Sequence, residues 1–496
     1  MSGPAGGDPL RRAAGRRPDA PAADGPETVW SYRRLDREAS ALALRLRRRL
    51  WSSGERHRDP AAPGGGRPRV AAFLPRRPAG LAAVHGVPRA GAVLAPLQHG
   101  WTGRELAGYL RRLDPDLILG PPAALERAGE ADPETPRLEL RPEKGGGAPA
   151  DACDLPVEAA SGDHSLIATS GSTGTPRPVR LTWENHLASA RAVAGRLELR
   201  PDDRWYASLS LAHVGGLSAA VRAAAVGSSV VLRGDFDART LDRLVTEERV
   251  THASLVPVML RRLLDLRDDR SLPASVRAVL VGGAATPSAL LERALAADVP
   301  AALTYGLTEA CSQVATAPPE LVRRKPGTAG PPLSGVRLRL GEDDEILVRG
   351  PTVSPGYLDG AAVTSDDGWL HTGDAGRVDG DGDLRVTGRL SERIVTGGTT
   401  VHPAEVEEAL RAHSGVREAV ALGVPSEEWG EVVGAAVVTA DDGPGREQLE
   451  RHCRQRLSTP RRPRRWALLD ELPRLPSGKP DRERLRRMLA EGEDAA

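Results

Sequence analysis

The run Thr169-Ser170-Gly171-Ser172-Thr173-Gly174 offers only hydroxyl-bearing side chains and glycines, followed by Pro176-Arg177-Pro178. Glycines let backbone N–H groups approach a ligand closely and hydroxyls add further donors, so such a run can wrap phosphate oxygens. The GxxxxGK[ST] pattern is absent, which excludes an ordinary P-loop nucleotidase. Composition alone reads as a surface loop. Its place between an apolar strand at 166–169 and a helix from Trp183, with Thr182 as N-cap, favours a binding loop. Downstream, Tyr305-Gly306-Leu307-Thr308-Glu309 sets an aromatic ring, a hydroxyl and a carboxylate within five residues, a set suited to a base, a phosphate and Mg²⁺. Glu309 by itself could equally be a helix-start carboxylate. His371-Thr372-Gly373-Asp374 and Gly388-Arg389 add an acceptor for a ribose diol and a donor for sugar or phosphate. Each of these alone is more often a turn residue or a solvated charge. Leu475-Pro476-Ser477-Gly478-Lys479 ends the series with a lysine in a tight turn.

That lysine is unusual in this chain. Of 68 basic residues only Lys144, Lys325 and Lys479 are lysines, and Asn185 is the single asparagine. Arginine, alanine, glycine and proline fill the chain, as a bias toward GC-rich codons would produce. A lysine that survives such a bias marks a position where a compact ammonium is needed and a planar guanidinium fails. With 68 basic residues against 67 acidic ones, a net charge of +1 gives no case for a nucleic acid or membrane surface as partner. No run of eighteen apolar residues is present, so no membrane span is expected, and the arginine-bearing start lacks the apolar core of a secretory signal. Cys153, Cys311 and Cys453 are odd in number and far apart. That spacing argues against a disulfide framework or a zinc site and fits a cytoplasmic protein.

The elements that must position these residues follow from periodicity. Residues 1–28 read as a loose tail. Helix-like 34–50, 78–90 and 102–112 alternate with strand-like 70–74, 92–96 and 115–119, and 128–152 reads as a polar excursion. Alternation resumes through 228–233, 238–248, 252–255, 257–266, 277–281 and 287–296, implying βαβ units and a parallel sheet. Beyond 330, short strands and Asp-Gly turns predict hairpins. From 403 to 490 the order helix–strand–strand–helix–strand–helix predicts a small α+β domain. The fold class is therefore α/β: a large N-terminal domain at 29–390 with layered sheets and a β-rich part, and a small α+β domain at 391–496.

The motifs in this order resemble the acyl-adenylate-forming superfamily of acyl-CoA ligases, nonribosomal-peptide adenylation domains and luciferases, over about residues 29–490. The resemblance implies ATP, Mg²⁺ and coenzyme A as cofactor and co-substrates, a small-molecule carboxylate as partner, and a mobile C-terminal lid hinged at Ser391. It implies that Thr169 to Gly174, with Arg177, hold ATP phosphates. It further implies that Tyr305 and Gly306 meet adenine beside Gly283 and Ala284, that Thr308 and Glu309 serve phosphate and metal, and that Asp374 and Arg389 hold the ribose. Lys479 would be the adenylation lysine. The chain departs from the usual Pro-Lys-Gly at Pro176-Arg177-Pro178; Arg177 keeps the charge, while Pro178 removes a backbone N–H and stiffens the loop. At the hinge, Ser391 stands where Asp or Lys is usual. Lys325, at a family turn, reads as structural.

The acid is read from Leu209 to Arg222. Amino-acid-activating relatives place an Asp here for the substrate ammonium, and none stands between 204 and 234. Arg222 is positive within an apolar helical run, and a buried charge needs a partner. Either it snorkels or pairs within the protein, or the substrate carries a second carboxylate. The wording of the stretch resembles the o-succinylbenzoate–CoA ligases of menaquinone synthesis, which implies an aromatic dicarboxylate bound by His213, Gly216, Arg222 and Thr304. Another medium-chain or aryl acyl-CoA ligase, or a nucleotide-binding protein without ligation, are the competing readings.

Overall fold

The computed structural model describes residues 7–51, 66–141, 162–169, 176–247, 249–440, 442–474 and 480–491. The phosphate-loop residues Ser170, Gly171, Ser172, Thr173 and Gly174, and the lysine Lys479, lie outside the described residues.

Two largely parallel sheets share one core. The first has eight strands in the order Ser312–Ala317, Ala301–Leu307, Ala278–Val281, His252–Leu255, Arg204–Ala207, Ser229–Val231, Pro21–Asp24, Val29–Ser31. The second has seven, in the order Gly356–Tyr357, Arg177–Thr182, Asp163–Thr169, Val93–Pro96, Arg69–Ala72, Leu117–Gly120, Arg137–Glu139. Strand side chains alternate between faces, and here both faces are covered. Val70, Ala72, Leu117, Leu119, Trp205, Ala207, Ala278 and Leu280 enter the shared core. Their neighbours Tyr206, Val279 and Val281 enter one outer core, and Ala71, Phe73 and Ile118 another. Burial on both faces is why these strands read as continuous apolar runs. The helices Tyr32–Trp51, Pro78–Arg89, Trp183–Arg196 and Val214–Val226 contribute to the shared core. Gly86 permits the close approach of the first two, since a Cβ there would stand 2.7 Å from the Ala39 carbonyl oxygen.

Three expectations are corrected. Within the expected tail, residues 8–24 hold a helix and a strand. Asp8 caps the helix Pro9–Arg16 through the N–H groups of Leu10 and Arg11, Leu10 and Ala13 are buried, and Pro21–Asp24 pairs in parallel with Ser229–Val231. Its anchor is a buried ion network in which Arg89 joins Asp8 and Asp36. Secondly, the loop after Thr169 leads not directly to a helix but to the strand Arg177–Thr182, antiparallel to Asp163–Thr169. Helix Trp183–Arg196 follows, with a capping box between Thr182 and Asn185. The polar excursion also contains structure: its first residues belong to helix Pro122–Ala131, and Arg137–Glu139 is an edge strand.

The hairpins fall where expected, in the antiparallel sheet Arg337–Leu340, Glu345–Arg349, Leu370–Val378, Leu384–Arg389. At its Asp379–Asp383 turn the Lys325 ammonium lies 2.8, 2.5 and 2.6 Å from Asp379, Asp381 and Asp383, so Lys325 is structural as read. The C-terminal region has the expected order: helix Pro403–Arg411, strands Val416–Ser426 and Gly430–Thr439, helix Arg446–Arg456, strand Arg465–Leu469, helix Arg482–Glu491. The hairpin Ile394–Thr396 and Thr399–Val401 joins this sheet. Among the described residues no helix is long and apolar enough to cross a membrane.

Candidate active site

Ligands in open α/β sheets gather at the carboxyl ends of strands, and Gly283, Ala284 and Tyr305 to Glu309 lie at such ends. Strand Ala278–Val281 runs into Gly282-Gly283-Ala284, with Gly283 and Ala284 exposed and Gly283 at φ +78°. Its neighbour Ala301–Leu307 carries Tyr305 and Gly306 just before its end. A Cβ on Gly282 would stand 2.5 Å from Thr304 Cγ2, and one on Gly306 would stand 1.7 Å from the Ser312 carbonyl oxygen. Neither position tolerates a side chain, so the two glycines hold this edge close.

Tyr305 donates its hydroxyl to Asp374 Oδ2 at 2.8 Å. Arg389, directly opposite on the paired strand, holds Asp374 Oδ1 at 2.8 Å through Nε. The three expected nucleotide residues Tyr305, Asp374 and Arg389 thus form one cluster built from two sheets. Burial raises the Asp374 pKa, with the Arg389 charge and the Tyr305 hydrogen bond opposing. Burial and the same carboxylate push the Tyr305 hydroxyl pKa well up, so it remains a donor.

Thr308 and Glu309 form a 3₁₀ turn ending in Cys311 at φ +52°. Its geometry is pinned from behind: Ser189 Oγ donates to the Cys311 carbonyl at 2.9 Å, and Cys311 Sγ lies 3.4 Å from His186 Nδ1. Glu309 Oε1 accepts from the Tyr357 hydroxyl at 3.2 Å, and the Glu309 carbonyl accepts from Ser354 N–H at 2.8 Å. Arg177 lies with its guanidinium carbon 3.8 Å above the Tyr357 ring centre and donates to both oxygens of Asp359. Thr169 ends its strand with Oγ1 donating to the Arg177 carbonyl at 3.2 Å.

The residues expected to meet the acid are more dispersed. His213 is exposed and precedes helix Val214–Val226 as its N-cap. Gly216 sits in the first turn, where a Cβ would stand 2.2 Å from the Ser210 carbonyl oxygen. Thr304 Oγ1 donates to the Ala315 carbonyl at 2.9 Å. Arg222 lies nine residues past His213, about 13 Å along the helix axis, so the two are not adjacent and His213 cannot relay its charge. Arg222 is 3% exposed and stacks 4.2 Å over the Trp205 ring. It has no hydrogen-bond acceptor or carboxylate partner among the described residues, and burial lowers its pKa to about 10. Ser391 is exposed, in the 3₁₀ turn Leu390–Glu392 between the last strand of the hairpin sheet and the first C-terminal strand.

The donor set fits the expected ligands. Asp374 can accept from a diol, and Glu309 is a hard oxygen ligand of the kind Mg²⁺ takes. Tyr357 and Asp359 were not singled out from the sequence. The signal available was rarity: the chain has five tyrosines, and two of them, Tyr305 and Tyr357, stand at this site.

Comparison with known proteins gives the family. The 2-succinylbenzoate–CoA ligase of Bacillus licheniformis is 40% identical over 378 residues, 71% of this chain and 78% of the relative. The o-succinylbenzoate CoA synthetase of Bacillus subtilis, solved with the acyl-adenylate intermediate OSB-AMP, superposes with a TM-score of 0.84 at 28% identity, covering 97% of this chain and 98% of that one. The same enzyme with ATP and magnesium ion gives 0.83 at 28% identity, covering 97% and 99%. Residues 10–358 match the AMP-binding enzyme family and residues 405–479 its C-terminal domain. The chain belongs to the AMP-binding enzyme family.

Proposed function

We propose that the chain is an ATP-dependent acid–CoA ligase whose acid is 2-succinylbenzoate, a step of menaquinone synthesis. The observation that carries the nucleotide half is the convergence of Tyr305, Asp374 and Arg389 beside the Glu309 turn. A carboxylate is a poor electrophile, so it must first be activated. One carboxylate oxygen attacks the α-phosphorus of ATP, the bond to the β-phosphate oxygen breaks, and pyrophosphate leaves. The CoA sulfur then attacks the acyl carbon, AMP leaves, and the thiol proton passes to solvent. Positioning and positive charge near the developing anion set the rate.

In this reading Asp374 accepts from the ribose diol, the Tyr305 ring meets adenine, and Thr169 to Gly174 surround the phosphates. Glu309 would hold Mg²⁺, which neutralises phosphate charge when bound. Lys479 bridges the attacking carboxylate and the α-phosphate. The domain expected at 29–390 also takes in residues 8–28, and we divide it from a lid at 391–496 hinged at Ser391. For the acid, the names of the relatives are supported by Arg222, a buried cation without an acceptor in the described protein. The free, buried Cys311 and Cys453 suit a reducing cytoplasm.

The test is to incubate the protein with ATP, Mg²⁺, CoA and a panel of acids, following pyrophosphate and acyl-CoA. Pyrophosphate release and thioester formation with 2-succinylbenzoate above other aryl acids is expected. No pyrophosphate release with any acid would reduce the chain to a nucleotide binder. Turnover of another acid in preference would reassign the substrate.

A further inference from the structure

Glu309 is held from two directions by one short segment. Ser354 N–H donates to the Glu309 carbonyl at 2.8 Å, and three residues later the Tyr357 hydroxyl donates to Glu309 Oε1 at 3.2 Å. That segment is itself fixed to the strand Arg177–Thr182. Ser354 Oγ donates to the Arg180 carbonyl at 2.6 Å, and Tyr357 pairs with Val179 across the sheet. The Arg177 guanidinium covers the Tyr357 ring at 3.8 Å and is retained by Asp359 at 3.1 and 2.9 Å. Asp359 in turn accepts from Ala361 N–H at 3.1 Å. Each link restricts the next, and the chain ends on a carboxylate oxygen. Glu309 Oε2 has no hydrogen-bond partner among the described residues.

We propose that Tyr357 is a positioning residue for the metal carboxylate, holding Glu309 Oε1 so that Oε2 is presented in one orientation, and that Arg177 secures Tyr357 instead of binding phosphate. This rests on the reading of Glu309 as the carboxylate that holds Mg²⁺. The physical gain is pre-organisation. A free glutamate must lose rotamer freedom when it takes a metal, whereas one already held by a hydrogen bond and a packed ring has lost most of it. The proposal also accounts for Arg177 standing where Lys is usual. Arg177 directs one nitrogen, Nη2, at both Asp359 oxygens, a contact that asks for a cation more than for a guanidinium fork.

The test measures Mn²⁺ binding by electron paramagnetic resonance in the presence of α,β-methylene ATP. The proteins are wild type, Tyr357→Phe, Glu309→Gln, the double variant, Arg177→Lys and Arg177→Met. Tyr357→Phe keeps the ring under Arg177 and removes only the hydroxyl, so its melting temperature should stay near wild type. Mn²⁺ affinity should fall about five- to tenfold, within the range of one typical hydrogen bond. Glu309→Gln should weaken it further, and the double variant should equal Glu309→Gln. Arg177→Lys should bind Mn²⁺ as wild type does, and Arg177→Met should follow Tyr357→Phe. Unchanged Mn²⁺ affinity in Glu309→Gln would overturn the metal reading itself. A loss in Glu309→Gln with none in Tyr357→Phe would overturn this proposal and leave that reading standing. If Arg177→Met weakens nucleotide binding equally without metal, Arg177 is a phosphate ligand after all.

Discussion

Arg222 offers a perturbation whose two consequences have opposite signs. Its side chain is buried without an acceptor among the described residues, and burial lowers its pKa from 12.5 to about 10. That drop corresponds to about 3 kcal/mol of unrelieved cost for keeping the charge. The Trp205 face beneath it at 4.2 Å returns about 1–2 kcal/mol as a desolvated cation–π contact. Among the described residues no carboxylate pairs with it: Asp203 is engaged by Arg277 and lies 3.7 Å from His252, which is stacked on the same indole at 5.2 Å and is itself pushed down to about 4, chiefly by burial. Arg222→Met keeps a flexible side chain against the indole and removes the charge, so the unliganded protein should gain about 1–2 kcal/mol and melt higher. If the ring carboxylate of the substrate is the missing counter-ion, the same variant should lose about 1.5–3 kcal/mol of transition-state binding. That is about a 10- to 150-fold fall in kcat/KM. The assay is a two-by-two cycle of wild type and Arg222→Met with 2-succinylbenzoate and with 4-oxo-4-phenylbutanoate, which lacks the ring carboxylate. The second acid should react poorly with wild type and change little on mutation. Coupling near zero, with higher stability, would return Arg222 to a purely structural role against Trp205.

The remaining predictions address charge elsewhere. Lys479→Ala should lose adenylation by ~10²–10⁴-fold while a preformed acyl-adenylate still reacts with CoA near the wild-type rate; equal loss in both half-reactions would refute the assignment. Arg177→Lys should keep overall activity within a few-fold, because Lys supplies the cation that Asp359 and the Tyr357 ring require, and a collapse would require a bidentate guanidinium contact. Burial holds His85 down to about 4 and His186 to about 3, and holds His164 well below its ordinary value. Folded pKa values below the unfolded 6.5 mean stability that is complete above pH 6.5 and lost as pH falls toward the folded values, at about 4 kcal/mol per pH unit for three histidines. The melting temperature should therefore fall steeply from pH 6.5 to 5, and a flat profile there would contradict their neutral burial.

What was legible in the sequence follows from what local patterns record. Strands such as Arg69–Ala72 and Ala278–Val281 are buried on both faces, so their apolar runs show without any knowledge of partners. Helix Pro9–Arg16 leaves little pattern because only Pro9, Leu10 and Ala13 are buried along it, and its anchor is the Asp8–Arg89 pair, 81 residues apart. Pro9 after Asp8 was nevertheless a helix-start signature. Strand Arg177–Thr182 was missed because two prolines frame its start and its pairing is set by the partner strand. The nucleotide motifs were readable because glycine, aromatic and carboxylate types carry chemistry in themselves. The commitment of Arg177 to Asp359, 182 residues away, leaves no local trace.

The site's anions and its deep cation are in opposite states, and this asymmetry bears on selectivity. Asp374 already has Tyr305 and Arg389, and Glu309 already has Tyr357. A carboxylate offers about four lone-pair positions, so a diol or a metal can join these groups without displacing what orients them. Nucleotide binding then needs little rearrangement of its acceptors, and any acid that reaches the α-phosphate is served equally by that half of the site. Arg222 differs, because five donors on a buried guanidinium find no acceptor among the described residues. A substrate carboxylate placed there removes a cost that a monocarboxylate leaves standing. A site built to pair a substrate's polar group discriminates strongly against the analogue that lacks it, since the protein group is then left buried and unpaired. Selection among acids should accordingly reside in Arg222 and its Trp205 support, and substitutions at Asp374 or Glu309 should lower the rates of all acids in proportion.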